Sequence, residues 1–231
     1  MVTAVDTQAR WDGEAPPMPR RVVVVAPHPD DEVLGAAGLL QRMQTLAIPI
    51  SIVAVTDGEA SHPRSQHITP AELRGRRDAE RRAALATLGV TVDLLRLGLP
   101  DGAVERHEDR LACALVPLVG AGVAVIAPWC RDGHPDHEAT ARAARAVCAQ
   151  GRADLWEVPI WAKVRAGLQE DRPPGHSTLV LSPATLARKR AAAACFESQL
   201  HPLGPSVVDG PVVHADELAV LLDGREELLW R

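Results

Sequence analysis

Two short segments hold most of the side chains that could do chemistry. PHPDDE, from Pro27 to Glu32, sets one histidine and three acids directly after the apolar run VVVVA, and GHPDH, from Gly133 to His137, sets two histidines and an acid after VAVIAPW. His28 and Asp31 lie three apart across a tight turn, a spacing that lets an imidazole and a carboxylate converge on one ion. His137 can add a second imidazole. Neutral imidazoles with one carboxylate suit Zn²⁺, or another divalent transition metal, with room left for water. Asp30 sits beside this set without being needed as a ligand, which suits a general base. His134 precedes His137 by three residues, and Asp136 between them can orient an imidazole. The alternative reading is a plain helix N-terminus, with Asp30 or Asp31 capping free amides and favouring the dipole. Capping takes one acid, however, and two such turns follow two apolar runs.

These turns need elements to hold them. Apolar strands alternate with amphipathic segments: Val22 to Ala26, a helix from about Asp31 to Leu46, Ile50 to Thr56, a helix from Pro70 to Leu88, and Val92 to Leu97. A helix from about Glu105 to Val119, the strand Val123 to Pro128 and a helix from about Pro135 to Ala149 continue the pattern. Asp154 to Ala162 and Ser177 to Leu181 read as further strands, and Pro183 to Leu200 as a late helix. Such alternation predicts an α/β fold with a mainly parallel sheet, and runs like VVVVA fit strands covered on both faces. In an open parallel sheet the ligand site lies beyond the carboxyl ends of the strands, where the strand order reverses. Both motifs follow such ends, on the first and fourth strands. If those strands are neighbours, the motifs share one crevice.

Composition narrows the rest. The chain has 231 residues, 46% hydrophobic and 24% charged, which fits an ordinary globular protein. With no Tyr and a single Phe the core must be aliphatic, leaving the five Trp as candidates for specific contacts. A net charge of -5 gives no basic footprint for nucleic acid. No run approaches a membrane span, no secretory h-region is seen, and the four scattered cysteines show no paired motif, so a soluble cytoplasmic protein with free thiols is expected. Residues 1–20 carry Gly13 and three prolines without periodicity and read as a flexible lead-in; residues 21–231 read as one domain. The segment Val164 to Ser177, with RPPG inside it, reads as a rim loop.

PHPDDE followed by HPDH resembles the signature blocks of the zinc-dependent de-N-acetylases called the LmbE-like or PIG-L family, related to the enzyme acting on N-acetylglucosaminyl-phosphatidylinositol. TDGEASHP, the RxxExxxA pattern from Arg77 to Ala84, GLPDG, WEVPIW and KRAAAACFESQ extend the resemblance over nearly the whole chain after Arg21. It implies a Rossmann-like fold with helices on both faces of the sheet. It also implies zinc on His28, Asp31 and His137, Asp30 as general base, His134 as acid or oxyanion stabiliser, and Asp136 orienting that histidine. Arg77 and Asp101 would approach sugar hydroxyls, although Arg77 lies in RGRRDAERR, which on charge alone reads as a solvated helix face. Some relatives carry a tyrosine where this chain has Asp132. The implied activity is hydrolysis of an N-acetyl group from an N-acetylglucosamine-type sugar or glycoconjugate. The alternatives are an amidase of the same fold acting on a thiol conjugate or glycosylated natural product, and a non-catalytic sugar-binding protein. The partner is then a small sugar-like molecule, with no nucleic acid and no membrane span; a homo-oligomer is compatible with the sequence.

Overall fold

The computed structural model describes residues 9–166 and 175–230. Among the described residues eight strands form one mixed sheet, β1 (Arg10–Asp12), β2 (Arg21–Ala26), β3 (Ile50–Thr56), β4 (Asp93–Leu99), β5 (Val123–Pro128), β6 (Asp154–Val158), β7 (His176–Val180) and β8 (Arg225–Trp230), in the order β1-β7-β8-β6-β5-β2-β3-β4. β6, β5, β2, β3 and β4 are parallel neighbours. From β2 the chain winds one way to β3 and β4 and the other way to β5 and β6, so the order reverses between β2 and β5. The helices are α1 (Asp31–Thr45), α2 (Pro70–Leu88), α3 (Glu108–Leu115), α4 (Pro135–Gly151), α5 (Trp161–Ala166), α6 (Pro183–Ala193), α7 (Glu197–Leu200) and α8 (Ala215–Leu221).

The period of two along β2 divides the core. Val22, Val24 and Ala26 pack with Val33 and Leu40 of α1, Leu85 and Leu88 of α2, and Phe196. Val23 and Val25 turn the other way, onto Leu111 and Leu115 of α3 and Ala143, Ala144 and Val147 of α4. Both faces of the sheet are therefore covered, as continuous apolar strands require. No helix among the described residues is long and apolar enough to cross a membrane.

Several elements depart from expectation, each for a local or tertiary reason. The strand begun at Asp154 stops at Val158, because Pro159 cannot donate to a ladder, and the chain turns into α5. The helix expected over Glu105 to Val119 is a 3₁₀ turn, α3, and a second 3₁₀ turn that contains Pro117. The late helix breaks before α7, where Glu80 of α2 captures the freed Ser198 amide at 2.8 Å and its hydroxyl at 2.6 Å. β8 enters the sheet antiparallel to both β6 and β7, making the sheet mixed. Arg10–Asp12, read as part of a flexible lead-in, pair antiparallel with β7 at the sheet edge; an unpaired neighbouring strand supplies backbone partners that no side-chain pattern announces. Residues 167–174 of the expected rim loop lie outside the described residues.

Candidate metal centre and active-site cleft

The turn after β2 is tied down from the backbone outward. The Pro27 carbonyl accepts the Thr56 amide at 3.0 Å and the Thr56 hydroxyl at 2.8 Å, locking the ends of β2 and β3 together. The His28 amide donates to Asp31 Oδ2 at 2.8 Å. Asp30, at the N-cap of α1, holds φ 147° and ψ −28° and its side chain caps nothing. A non-glycine residue in that region costs on the order of 1–3 kcal/mol and persists only where its surroundings hold it. Here the surroundings include Arg77, whose guanidinium donates to Asp30 Oδ2 at 3.1 Å and to the carbonyls of Pro29 and Gly58 at 2.9 and 3.1 Å. Gly58 permits this approach, since a Cβ there would stand 2.1 Å from Arg77 Nη1.

Three donor atoms converge from the turn after β2, from α1 and from α4. His28 Nδ1 and Asp31 Oδ2 are 3.2 Å apart, His137 Nε2 and Asp31 Oδ2 are 3.3 Å apart, and the two ring nitrogens are 3.3 Å apart. Tetrahedral Zn²⁺ with bonds of ~2.0–2.1 Å places its ligands about 3.3 Å from one another. The triangle therefore fits the ion, and its fourth corner is free of these three side chains.

The outer nitrogens of both rings are held by acids. His28 Nε2 lies 3.3 Å from Asp101 Oδ1 and 3.3 Å from Asp136 Oδ2. His137 Nδ1 lies 2.7 Å from Asp132 Oδ2, and both side chains are fully buried. Such partners keep the ring protons on the outer nitrogens and turn the inner lone pairs toward the centre. Asp132 is itself fixed by the amides of Ile160, Trp161 and Ala162 at 2.8 to 3.1 Å, where α5 begins. Asp132→Ala should weaken zinc binding roughly 10–100-fold, the usual loss for such a second partner. Competition with a chromogenic chelator measures it, and an unchanged affinity would remove Asp132 from the centre.

Charge around this triangle is arranged for a cation. Burial pulls the His28 imidazole down, but Asp101, Asp136 and Asp31 raise it well above its ordinary value. Burial likewise opposes His137, which Asp31 and Asp132 nonetheless raise to about 9. Asp31 is buried, yet the two histidines hold its carboxyl well below the usual range. Asp30 differs: burial raises it to about 7 against the pull of Arg77. His134, lowered to about 4 by burial and by the neighbouring imidazoles, is neutral near pH 7. Its Nδ1 accepts the Asp136 amide at 3.3 Å, which leaves the proton on Nε2.

α2 sends two arginines into the protein rather than to solvent. Arg77 and Arg81, one turn apart, are each 2% exposed, and Arg81 Nε donates to the buried Glu32 carboxylate at 2.9 Å. The run RGRRDAERR thus carries a buried ion-pair stripe that fastens α2 to the first turn of α1. Removing one partner of such a pair strands the other charge in the core. Arg81→Met should cost about 3–5 kcal/mol in urea unfolding; a loss below about 1 kcal/mol would show that Glu32 is solvated without it.

The centre lies in a cleft of about 360 Å³, whose lining includes His28, Asp30, Asp31, Arg77, Asp101, His134, Trp161 and Gln199. All eight site residues singled out in the sequence therefore gather at this cleft or directly behind it. One sits differently from expectation. Asp136 does not orient His134 through its carboxylate, which accepts the Gly102 and Val104 amides at 2.8 and 3.1 Å and meets His28. Residues two apart at a helix start point to different sides, so the pairing follows from α4 itself. Arg77 and Asp101 do line the cleft, but with protein partners already in place: Asp101 Oδ2 accepts the Ala60 amide at 2.8 Å. Asp132, Glu32 and Gln199 had no role in the sequence reading. Asp132, noted in the sequence only as standing where some relatives carry a tyrosine, lies five residues before His137, but the amides that fix it lie 28–30 residues away.

Residues 23–148 match the profile of the GlcNAc-PI de-N-acetylase family, PIG-L. A 1D-myo-inositol 2-acetamido-2-deoxy-alpha-D-glucopyranoside deacetylase of Kineococcus radiotolerans is 27% identical, over 89% of this chain and 64% of its own. A probable N-acetyl-alpha-D-glucosaminyl L-malate deacetylase 2 of Bacillus cereus is 28% identical, over 62% of this chain and 66% of its own. This chain thus spans a little under two thirds of the length of both. Among solved structures, the conserved protein TT1542 from Thermus thermophilus is 29% identical with a TM-score of 0.58, covering 83% of this chain and 84% of that one. The A40926 pseudoaglycone deacetylase Dbv21 shares the fold, at 21% identity and a TM-score of 0.67 over 91% of this chain and 96% of that one. With more than half of its length matched and both signature turns at one cleft, the chain belongs to the GlcNAc-PI de-N-acetylase (PIG-L, LmbE-like) family.

Proposed function

We propose that the protein is a zinc-dependent N-deacetylase that hydrolyses the acetamide of an N-acetylglucosamine-type sugar or glycoconjugate, at a site formed at the carboxyl ends of β2 and β5 of a Rossmann-like sheet. The observation that carries this reading is the donor triangle of His28, Asp31 and His137 with the Asp30 carboxylate beside it in an open cleft. Zn²⁺ held there supplies Lewis acidity, which polarises the amide carbonyl and acidifies water.

The chain's own groups do the rest. Asp30, strained in its backbone and kept in place by Arg77, accepts the proton of the attacking water. His134 presents Nε2–H to the oxygen on which charge develops, and the Asp136 amide on Nδ1 fixes that tautomer. The Asp136 and Asp101 carboxylates hold His28, and Asp132 holds His137. Asp30 then returns its proton to the departing amine, giving acetate and a free glucosamine-type amine. The chain has no tyrosine, and His134 is the side chain assigned here to the oxyanion.

Acetate and amine release from N-acetylglucosamine and its methyl glycoside, with zinc and with excess chelator, tests the reading. Release that chelator abolishes and zinc restores is expected. Zinc uptake without release from any acetamido sugar would leave a sugar-binding protein.

A further inference from the structure

α1 is not one continuous helix. Ala36 holds φ −140° and ψ 17°, outside the helical region, so the first segment, Asp31 to Gly35, makes little more than one turn before the chain bends into the body of the helix. That short segment carries the metal-centre carboxylate of Asp31, the Glu32 that meets Arg81, and Leu34 on the cleft wall. An unbroken helix would bond the Gly38 amide to the Leu34 carbonyl across this point. Here two buried side chains from distant elements supply partners to both groups. Lys189 Nζ, from α6, donates to the Leu34 carbonyl at 2.8 Å. Glu226, from β8, accepts the Gly38 amide at 2.8 Å and the Leu39 amide at 3.0 Å, and meets Lys189 at 2.9 Å. We propose that Lys189 and Glu226 are positioning residues for the zinc centre: inserted across the break in α1, their ion pair sets the angle at which the first turn delivers Asp31 to His28 and His137. This role rests on the reading of those three residues as a zinc site.

The brace is built for one geometry. A buried ion pair needs further hydrogen bonds to offset its desolvation, and this one finds them in the backbone groups that the break releases. Gly38 permits the approach, since a Cβ there would stand 2.2 Å from Leu181 Cδ2 and 3.1 Å from Glu226 Oε2. Beyond the break, Gln41 Nε2 donates to the Thr185 carbonyl at 3.2 Å, so α6 holds α1 on both sides of Ala36. Before the break, the Val33 and Leu34 amides donate to the Asp30 carbonyl at 2.9 and 2.8 Å. The carbonyl that Lys189 grips therefore belongs to the residue that closes the turn bearing Asp30 and Asp31. Site side chains must be kept within about 0.5 Å of their working places. Arg81 on Glu32 fixes one side of the short segment, and the Lys189–Glu226 pair fixes its end at the bend.

Two variants and a control separate positioning from stability. Lys189→Met strands the Glu226 charge in the core and should lower the melting temperature. The Lys189→Met, Glu226→Met double variant strands no charge and leaves the Leu34 carbonyl and Gly38 amide to close their own helical bond, so it should melt near the wild type. Leu88→Ala is the control. Leu88 is buried at the end of α2, five residues before β4 begins, and so sits at the strand ends opposite the centre; its truncation lowers stability away from the break. Zinc affinity, measured by competition with a chromogenic chelator below every melting temperature, should be at least tenfold weaker in both brace variants and unchanged in Leu88→Ala. Wild-type affinity in the double variant would overturn the proposal, and so would an equal loss in Leu88→Ala, which would trace the effect to stability alone. If only one brace variant folds, the same criterion applies to it. Wild-type protein that takes up no zinc would instead overturn the metal-centre reading, and this role with it.

Discussion

Asp30→Asn should keep its zinc and lose roughly two to four orders of magnitude in turnover, the range for a positioned proton-transfer group. An amide in place of the carboxylate can still hydrogen-bond the attacking water but cannot take its proton. Substrate binding therefore survives while the attack step fails, and KM should move far less than kcat. The substitution also removes the charge that Arg77 faces, although Arg77 keeps the Pro29 and Gly58 carbonyls. A melting curve recorded on the same sample separates a folding defect from a lost base. Turnover within a few-fold of wild type would remove Asp30 from the reaction.

The neighbouring acid should behave in the opposite order. Asp31→Ala and His137→Ala each take one corner from the triangle, and metal should be lost first, with activity falling below detection at stoichiometric zinc. The corner atoms stand 3.2 to 3.3 Å apart, so removing one leaves the ion two of the three side chains of the triangle. Elemental analysis after dialysis measures the metal directly. A full zinc equivalent retained by Asp31→Ala would reverse the roles of the two acids in PHPDDE. Excess zinc partly restoring the Asp31→Ala enzyme would instead support the assignment, because mass action then offsets the weakened site.

Much of this centre is legible from residue order because its parts are local. His28, Asp30 and Asp31 share one turn, His134 and His137 another, and apolar strands before each turn set where it must emerge. The boundaries of β3, α2 and β5 follow equally from period and caps: Thr69 and Glu72 form a capping box, and Gly89 closes α2 in the left-handed region. What local pattern could not supply is partner choice. RGRRDAERR has the charge pattern of a solvated face, and only the position of α2 against α1 turns Arg77 toward Asp30 and Arg81 toward Glu32.

Residue order alone was enough for the donor types, their spacing, the parallel core of the sheet and the family. Three features came only with packing: β8 enters the sheet antiparallel beside β6, the Asp136 carboxylate turns to His28 and leaves only its backbone amide to His134, and Asp132 joins His137 to the start of α5. The difference is one of range. Turn chemistry and hydrophobic period act over a few residues and are written in neighbouring letters. A buried carboxylate, by contrast, is stabilised by whichever donors packing brings within about 3 Å, however distant they are in the chain.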